Sequence, residues 1–365
     1  MIASNLNALI QLGDKSGWVE LLSTGEFSAE FILRDENLVF VTFDNWEAKP
    51  PAKARFAEKF VSAAGYSHLH FSCVGNDWWQ YKEFLPICKE IGEIIASRFS
   101  WRVGYGSSMG AYGALLFSSA LKLNKVIALS PQFSIDRKKV EFEARWAKEA
   151  ERINFIFDDM CRALSHSANI LLAYDPNDDD SKHISKFPAQ SNVTKMKLSG
   201  AGHPVGIALQ QAGMLGQLVS QFLDNSISVD EFESDFSSLI NETPQHYYVL
   251  ARELFDKGEV MSALDAIECA IEKSGSSFSY YRLKGKCLFL LGDFSAALEE
   301  FNKAAEVRCN EDIAALALRS AVELGDFDRL MLAISRYNAL DRNESLSKLL
   351  ISSLLKKSKL YPTVV

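Results

Sequence analysis

At 365 residues, with 48% hydrophobic and 11% aromatic side chains, the chain is long enough for two domains, each with its own core. Its net charge of −8, with no stripe of Lys or Arg, argues against a nucleic-acid surface. No apolar run approaches the roughly 18 residues of a membrane span, and the first residues lack the basic start and apolar stretch of a signal peptide. The six cysteines contain no C-x-x-C pair and read as reduced thiols, which points to a cytoplasmic protein.

Residues 1–27 read as an N-terminal helical segment, with Leu6, Leu9 and Ile10 and then Trp18, Leu21 and Leu22 as apolar faces. From 28 to 43, two strands flank the turn cluster Arg34-Asp35-Glu36-Asn37. The second of them, Leu38 to Phe43, is almost wholly β-branched or aromatic, as a buried central strand should be. Ala57 to Ala64 reads as a helix, and Tyr66 to Val74 alternates as a strand that puts His68 and His70 on one face. Two histidines without a nearby third ligand read as packed residues rather than a metal site, so no metal is expected. The loop Asn76-Asp77-Trp78-Trp79 then either anchors the core or lies at the carboxyl edge of a parallel sheet, where ligands bind.

Trp101 to Tyr105 can end a strand, and Met109 to Leu121 reads as a helix. Between them, Gly106-Ser107-Ser108-Met109-Gly110 is a G-x-S-x-G, the pattern of a nucleophile elbow. Glycines are needed at its ends because strand and helix approach each other too closely for side chains. Such a turn exposes the Ser108 hydroxyl and aims the Met109 N–H, at the positive helix end, toward a forming oxyanion. A glycine turn before a buried helix gives the same letters. The functional reading is preferred for its strand and helix context, for the small residues Ala111, Gly113 and Ala114, and for downstream partners in the order acid, then histidine.

Further strands are expected at Lys125 to Ser130, Asn169 to Tyr174 and Asn192 to Leu198, with a charged helical stretch from Arg137 to Ser165 and a closing helix from Val205 to Leu223. Strands alternating with helices imply a mostly parallel sheet. The elbow Gly106 to Gly110, the acidic loop Tyr174 to Asp180 and the terminal Gly200-Ala201-Gly202-His203 together resemble a compact α/β-hydrolase over 28–224. The resemblance implies Ser108 as nucleophile and His203 as general base, with no cofactor. It places the acid a few residues past the strand, at Asp178 or Asp180 rather than Asp175. Asp180 is preferred because it looks like the start of the next helix. It also implies a second oxyanion donor in the loop after the central strand, at Asp44 or Asn45.

Residues 225–244 are acidic and Ser-rich and read as a linker. From 245 the chain turns all-helical with a period of 34: Tyr247 and Tyr281, Leu254 and Leu288, Gly258 and Gly292, Ala263 and Ala297, Ala270 and Ala304. Leu324-Gly325-Asp326-Phe327 repeats Leu291 to Phe294 after 33, and Ser347 to Lys357 reads as a closing helix. The segment 245–357 resembles tetratricopeptide repeats, which implies a surface for a protein partner or for a homo-oligomer. The leading functional reading is a serine esterase or thioesterase acting on a small or carrier-bound ester. An acyltransferase with the same triad, or a scaffold built on a hydrolase fold, are the alternatives.

Overall fold

The computed structural model describes residues 17–46, 54–275, 277–325 and 332. The chain divides into two compact units, Met1–Ile240 and Asn241–Val365.

The first unit is built on eight strands: β1 (Val19–Ser23), β2 (Phe27–Ile32), β3 (Leu38–Phe43), β4 (Ser67–Cys73), β5 (Trp101–Ser107), β6 (Lys125–Leu129), β7 (Asn169–Tyr174) and β8 (Val193–Lys197). They form one sheet in the order β1-β2-β4-β3-β5-β6-β7-β8. β2 pairs antiparallel with both β1 and β4, and every other neighbour is parallel. This is the mostly parallel sheet of the α/β-hydrolase fold. The central parallel strands β3, β6 and β7 are mostly apolar on both faces because helices cover both. Along β3, Val39, Val41 and Phe43 join one core and Phe40 the other.

Helices α1 (Glu58–Ala63), α2 (Phe84–Arg98), α3 (Met109–Leu116), α4 (Ala147–Arg152), α5 (Met160–Ala163), α6 (Asp180–Lys186), α7 (Val205–Gln211), α8 (Leu215–Leu223) and α9 (Val229–Ile240) complete the unit. Residues of α2 and α3 fill the core on one face of the sheet, and residues of α1, α7, α8 and α9 the core on the other.

Three expectations are corrected here. Val19–Ser23 is a strand, not part of a helix: Thr24 closes a tight turn onto Phe27, and β1 pairs with β2 as a hairpin. The helix expected on Leu6, Leu9 and Ile10 lies outside the described residues. The stretch 225–244 is not a linker, because Phe232, Phe236 and Ile240 recur every four residues and make one buried stripe of α9. The stretch 137–165 is mostly irregular, with only the short helices α4 and α5.

The second unit contains α10 (Pro244–Asp256), α11 (Val260–Ser274), α12 (Phe278–Leu290), α13 (Phe294–Val307) and α14 (Glu311–Leu324), consecutive helices packing on one another. Gly258, Gly292 and Gly325 end α10, α12 and α14 with φ of 82°, 83° and 68°. That left-handed conformation favours glycine, and it falls at the 34- and 33-residue spacing found in the sequence. Gly285 permits close packing, since a Cβ there would lie 2.5 Å from the Phe301 ring. Asp326, Phe327 and the helix expected from Ser347 to Lys357 lie outside the described residues.

Candidate active site

Ser108 sits between β5 and α3 with φ 52° and ψ −120°, a strained conformation for a residue with a Cβ. The strain is held from both sides. The Ser108 N–H donates to the Leu129 carbonyl at 2.9 Å. A Cβ on Gly106 would collide with the Gly110 carbonyl, and one on Gly110 would lie 2.7 Å from the Phe43 carbonyl. Strand, turn and helix therefore interlock only with glycine at both positions. The turn leaves the Ser108 residue 7% exposed.

His203 follows β8 on a loop shaped by Gly200 and Gly202, with φ of 81° and 64°. Its Nε2 lies 3.1 Å from Ser108 Oγ, and its Nδ1 lies 2.8 Å from Asp180 Oδ2. Asp180 is the first residue of α6 and is fully buried. Burial opposes its ionisation, but the charge and hydrogen bond of His203, followed by Arg145 and Ser130, hold its carboxyl below the usual range. Nδ1–H thus faces a carboxylate, and the Nε2 lone pair faces a hydroxyl. That arrangement lets an imidazole take a proton from the serine.

The neighbouring aspartates have other roles. Asp175 is buried and accepts the N–H groups of Gly202 at 2.7 Å and Asn177 at 2.9 Å, which ties the histidine loop to the end of β7. Asp178, the other candidate acid, pairs with Arg145 Nη1 at 3.0 Å, and it is Asp180 that meets the ring. Asp178, Asp180 and His203 bring ligand atoms within 4.8 Å of one another. The Arg145 guanidinium, however, already sits on both carboxylates at 3.0 Å, a fixed positive charge where a cation would have to bind.

The loop after β3 runs beside the elbow, since Gly110 faces the Phe43 and Asp44 carbonyls and Asn45 Oδ1. Asp44 does not suit an oxyanion donor: its N–H is given to the Phe71 carbonyl at 3.0 Å. Its side chain accepts from His70 Nε2 at 3.2 Å and from the Cys73 N–H at 3.2 Å. Asn45 is the remaining candidate in that loop. The Met109 N–H belongs to the first turn of α3, where helix amides have no helical acceptor.

His68 and His70 are packed residues. Both reach Thr42 Oγ1, at 2.6 and 2.8 Å. Because His70 Nε2–H faces Asp44, its Nδ1 must accept the Thr42 hydroxyl, and Thr42 in turn accepts His68 Nε2–H. His68 Nδ1 is then an acceptor with no hydrogen-bond partner among the described residues. Burial, reinforced by His70, lowers the His68 pKa to about 2. Trp78 and Trp79 are core residues, with Trp79 Nε1 donating to the Met109 carbonyl at 3.2 Å.

Sequence reasoning missed three neighbours of the site. Gln132, fully buried just past β6, donates from Nε2 to Ser108 Oγ at 3.3 Å and to the Ser130 carbonyl at 3.1 Å. Trp146 stands edge-on to His203, ring centroids 5.5 Å apart. Arg145 contacts Asp180. The last two lie within a charged stretch where nothing in the spacing separates them from solvated residues. A separate cavity of about 1060 Å³, lined by Leu116, Phe117, Phe157 and Arg162 among others, includes none of Ser108, Asp180 and His203.

No protein-family model matches the chain, and no curated protein does. Among solved structures, 58% of the chain is similar to the Glycosylation Associate Protein complex from Streptococcus agalactiae, at 18% identity and a TM-score of 0.45. The match spans 47% of that chain, about half its length. The capsule O-acetyltransferase of Neisseria meningitidis serogroup A is similar over 58% of this chain and 95% of its own, at 15% identity and a TM-score of 0.40. A Pyrococcus furiosus esterase is similar over 57% of this chain and 89% of its own, at 18% identity and a TM-score of 0.42.

Proposed function

We propose that the chain is a serine hydrolase that cleaves an ester or thioester through an acyl-enzyme intermediate. The observation that carries this reading is the unbroken hydrogen-bonded line from Asp180 through His203 to a strained, elbow-borne Ser108. As Ser108 Oγ attacks the acyl carbon, His203 Nε2 takes its proton, and Asp180 holds the ring and stabilises the imidazolium. The N–H groups of Met109 and Asn45 receive the oxyanion. The imidazolium then gives its proton to the leaving alcohol or thiol. A water molecule, activated by the same histidine, releases the acid and frees Ser108.

With Ser108 only 7% exposed, a short acyl group is the favoured substrate. The helical unit, with its 34-residue glycine register, serves as a tetratricopeptide-like surface that brings the enzyme to a protein partner, a carrier-bound substrate or a second copy. Residues 17–240 hold the chemistry. The test is a p-nitrophenyl ester series from acetate upward on the full chain, with an added alcohol to separate hydrolysis from transfer. Turnover should be highest for the shortest acyl groups and absent in Ser108→Ala. Equal turnover in that variant would contradict the reading.

A further inference from the structure

One cluster beside the triad takes no part in these steps. It comprises Glu143 and Arg145, with His183 behind them. Arg145 donates from Nη2 to Asp180 Oδ1 at 3.0 Å and from Nη1 to Asp178 Oδ1 at 3.0 Å. Its Nε lies 3.1 Å from both oxygens of Glu143, and its Nη2 lies 2.7 Å from Oε2. The guanidinium also covers the Trp146 ring at 4.4 Å, and Trp146 touches His203. Asp180 is thereby shared, with Oδ2 on the imidazole and Oδ1 on the guanidinium. Glu143 accepts His183 Nε2–H at 2.8 Å, and His183 stands one turn beyond Asp180 on α6. The strip 143–146 thus grips two residues of the helix that carries the acid.

We propose that Arg145 is a positioning residue for the triad, which fixes Asp180 in line with His203 and, by dividing its charge among Asp180, Asp178 and Glu143, sets how readily His203 holds a proton. This rests on the triad reading given above. Asp180 is buried, and a buried carboxylate keeps its charge only when paired and fully hydrogen-bonded. A neutral imidazole alone offers one donor, and the planar guanidinium adds another to that of Ser130 while bridging the other carboxylates. The compact ammonium of a lysine cannot span all three. The polar and titratable groups around the His203–Asp180 pair are Asp178 from the β7–α6 loop, Asp180 itself from the start of α6, Arg145 and Glu143 from the β6–β7 segment, Ser130 just past β6, and Ser108 from the elbow. Trp146 is uncharged, and His183 is neutral, because its Nδ1 accepts the Phe133 N–H at 3.2 Å. Burial opposes ionisation of Glu143, yet its bonds to His183 and Arg145 hold it down at about 2, so the carboxylates behind Arg145 stay charged.

The test is the pH dependence of the rate at which a fluorophosphonate labels Ser108 in the full chain, since only neutral His203 activates the serine. Arg145→Met removes a positive charge beside the pair, so His203 keeps its proton to higher pH and the acid limb rises by about one unit. Glu143→Gln removes a competitor for the guanidinium, so the limb falls by roughly half a unit. Arg145→Lys keeps the limb near the wild-type position but labels more slowly. Opposite shifts in the two charge-changing variants are expected; a purely structural role would slow labelling without them. If Arg145→Met does not fold, as judged by circular dichroism, the double variant Arg145→Met/Glu143→Gln replaces it and its limb should still rise, because Asp180 is the carboxylate that touches His203. Limbs that stay at the wild-type position, or that shift in the same direction, overturn the role of Arg145. A wild-type chain that does not label at Ser108 removes the triad reading and this inference with it.

Discussion

Two histidines of the first unit each bond a buried carboxylate at 2.8 Å, His203 to Asp180 and His183 to Glu143. As pairs they look alike, and the difference lies at the other ring nitrogen. In His183 that nitrogen accepts a backbone N–H, and the side chain is fully buried. In His203 it faces the Ser108 hydroxyl, and the side chain is 14% exposed. A histidine–carboxylate pair becomes a base only where its second nitrogen has a proton to take and a route for substrate. Otherwise it is a brace, and the 143–183 pair braces the helix on which the 180–203 pair depends.

The sharpest way to break this comparison is to remove each histidine in turn. His203→Ala should lower turnover by about a millionfold. His183→Leu leaves Glu143 with one partner fewer and should cost about 3 kcal/mol of stability, with turnover per folded molecule within about tenfold of wild type. Urea melts and ester kinetics on both variants check this, and comparable losses of turnover would erase the distinction. The carboxylates sharpen it further. Asp180→Asn should cost on the order of 10⁴ in turnover, because the ring loses the carboxylate that fixes its tautomer. Asp178→Asn, which weakens the contacts of its side chain with Arg145 and the Asp180 N–H but leaves the ring contact of Asp180 in place, should stay within about tenfold. A reversed ranking would move the acid to Asp178.

A third histidine bears on stability rather than on turnover. His68 is buried between Thr42 and the Trp18 ring, and that burial holds it neutral, with a folded pKa of about 2. Below about pH 6.5 it takes up a proton in the unfolded chain and not in the folded one. Each pH unit below that value therefore costs about 1.4 kcal/mol of stability until the folded value is reached. His68→Gln should flatten the stability profile between neutral and mildly acidic pH, as followed by thermal melts. An unchanged slope would mean that the ring is protonated in the fold.

Much of this was legible in the sequence because it rests on local rules. The elbow needs glycines at fixed offsets, the central parallel strands β3, β6 and β7 are mostly apolar, and the helix ends at Gly258, Gly292 and Gly325 follow from left-handed backbone. What was not legible depends on pairing at a distance. Val19–Ser23 has the apolar content of a helix end, and only its partner β2 makes it a strand. The acidic, Ser-rich composition of 225–244 masked Phe232, Phe236 and Ile240, whose spacing of four was the available signal. Burial of those three side chains contributes roughly 5 to 8 kcal/mol, comparable to the whole stability of a domain. A fragment ending at residue 240 should therefore fold, whereas one ending at 225 should melt well below it. Arg145 and Gln132 carry no local signature, because their roles exist only once β6, β7 and the elbow lie side by side.

In the proposed mechanism Ser108, not its neighbour Ser107, is the nucleophile, driven by His203. The most direct measurement is peptide mapping of the full chain after reaction with a fluorophosphonate, alongside Ser108→Ala and His203→Ala. One adduct per chain is expected, on Ser108, absent from the first variant and formed far more slowly in the second. An adduct on Ser107, or undiminished labelling without His203, would contradict it.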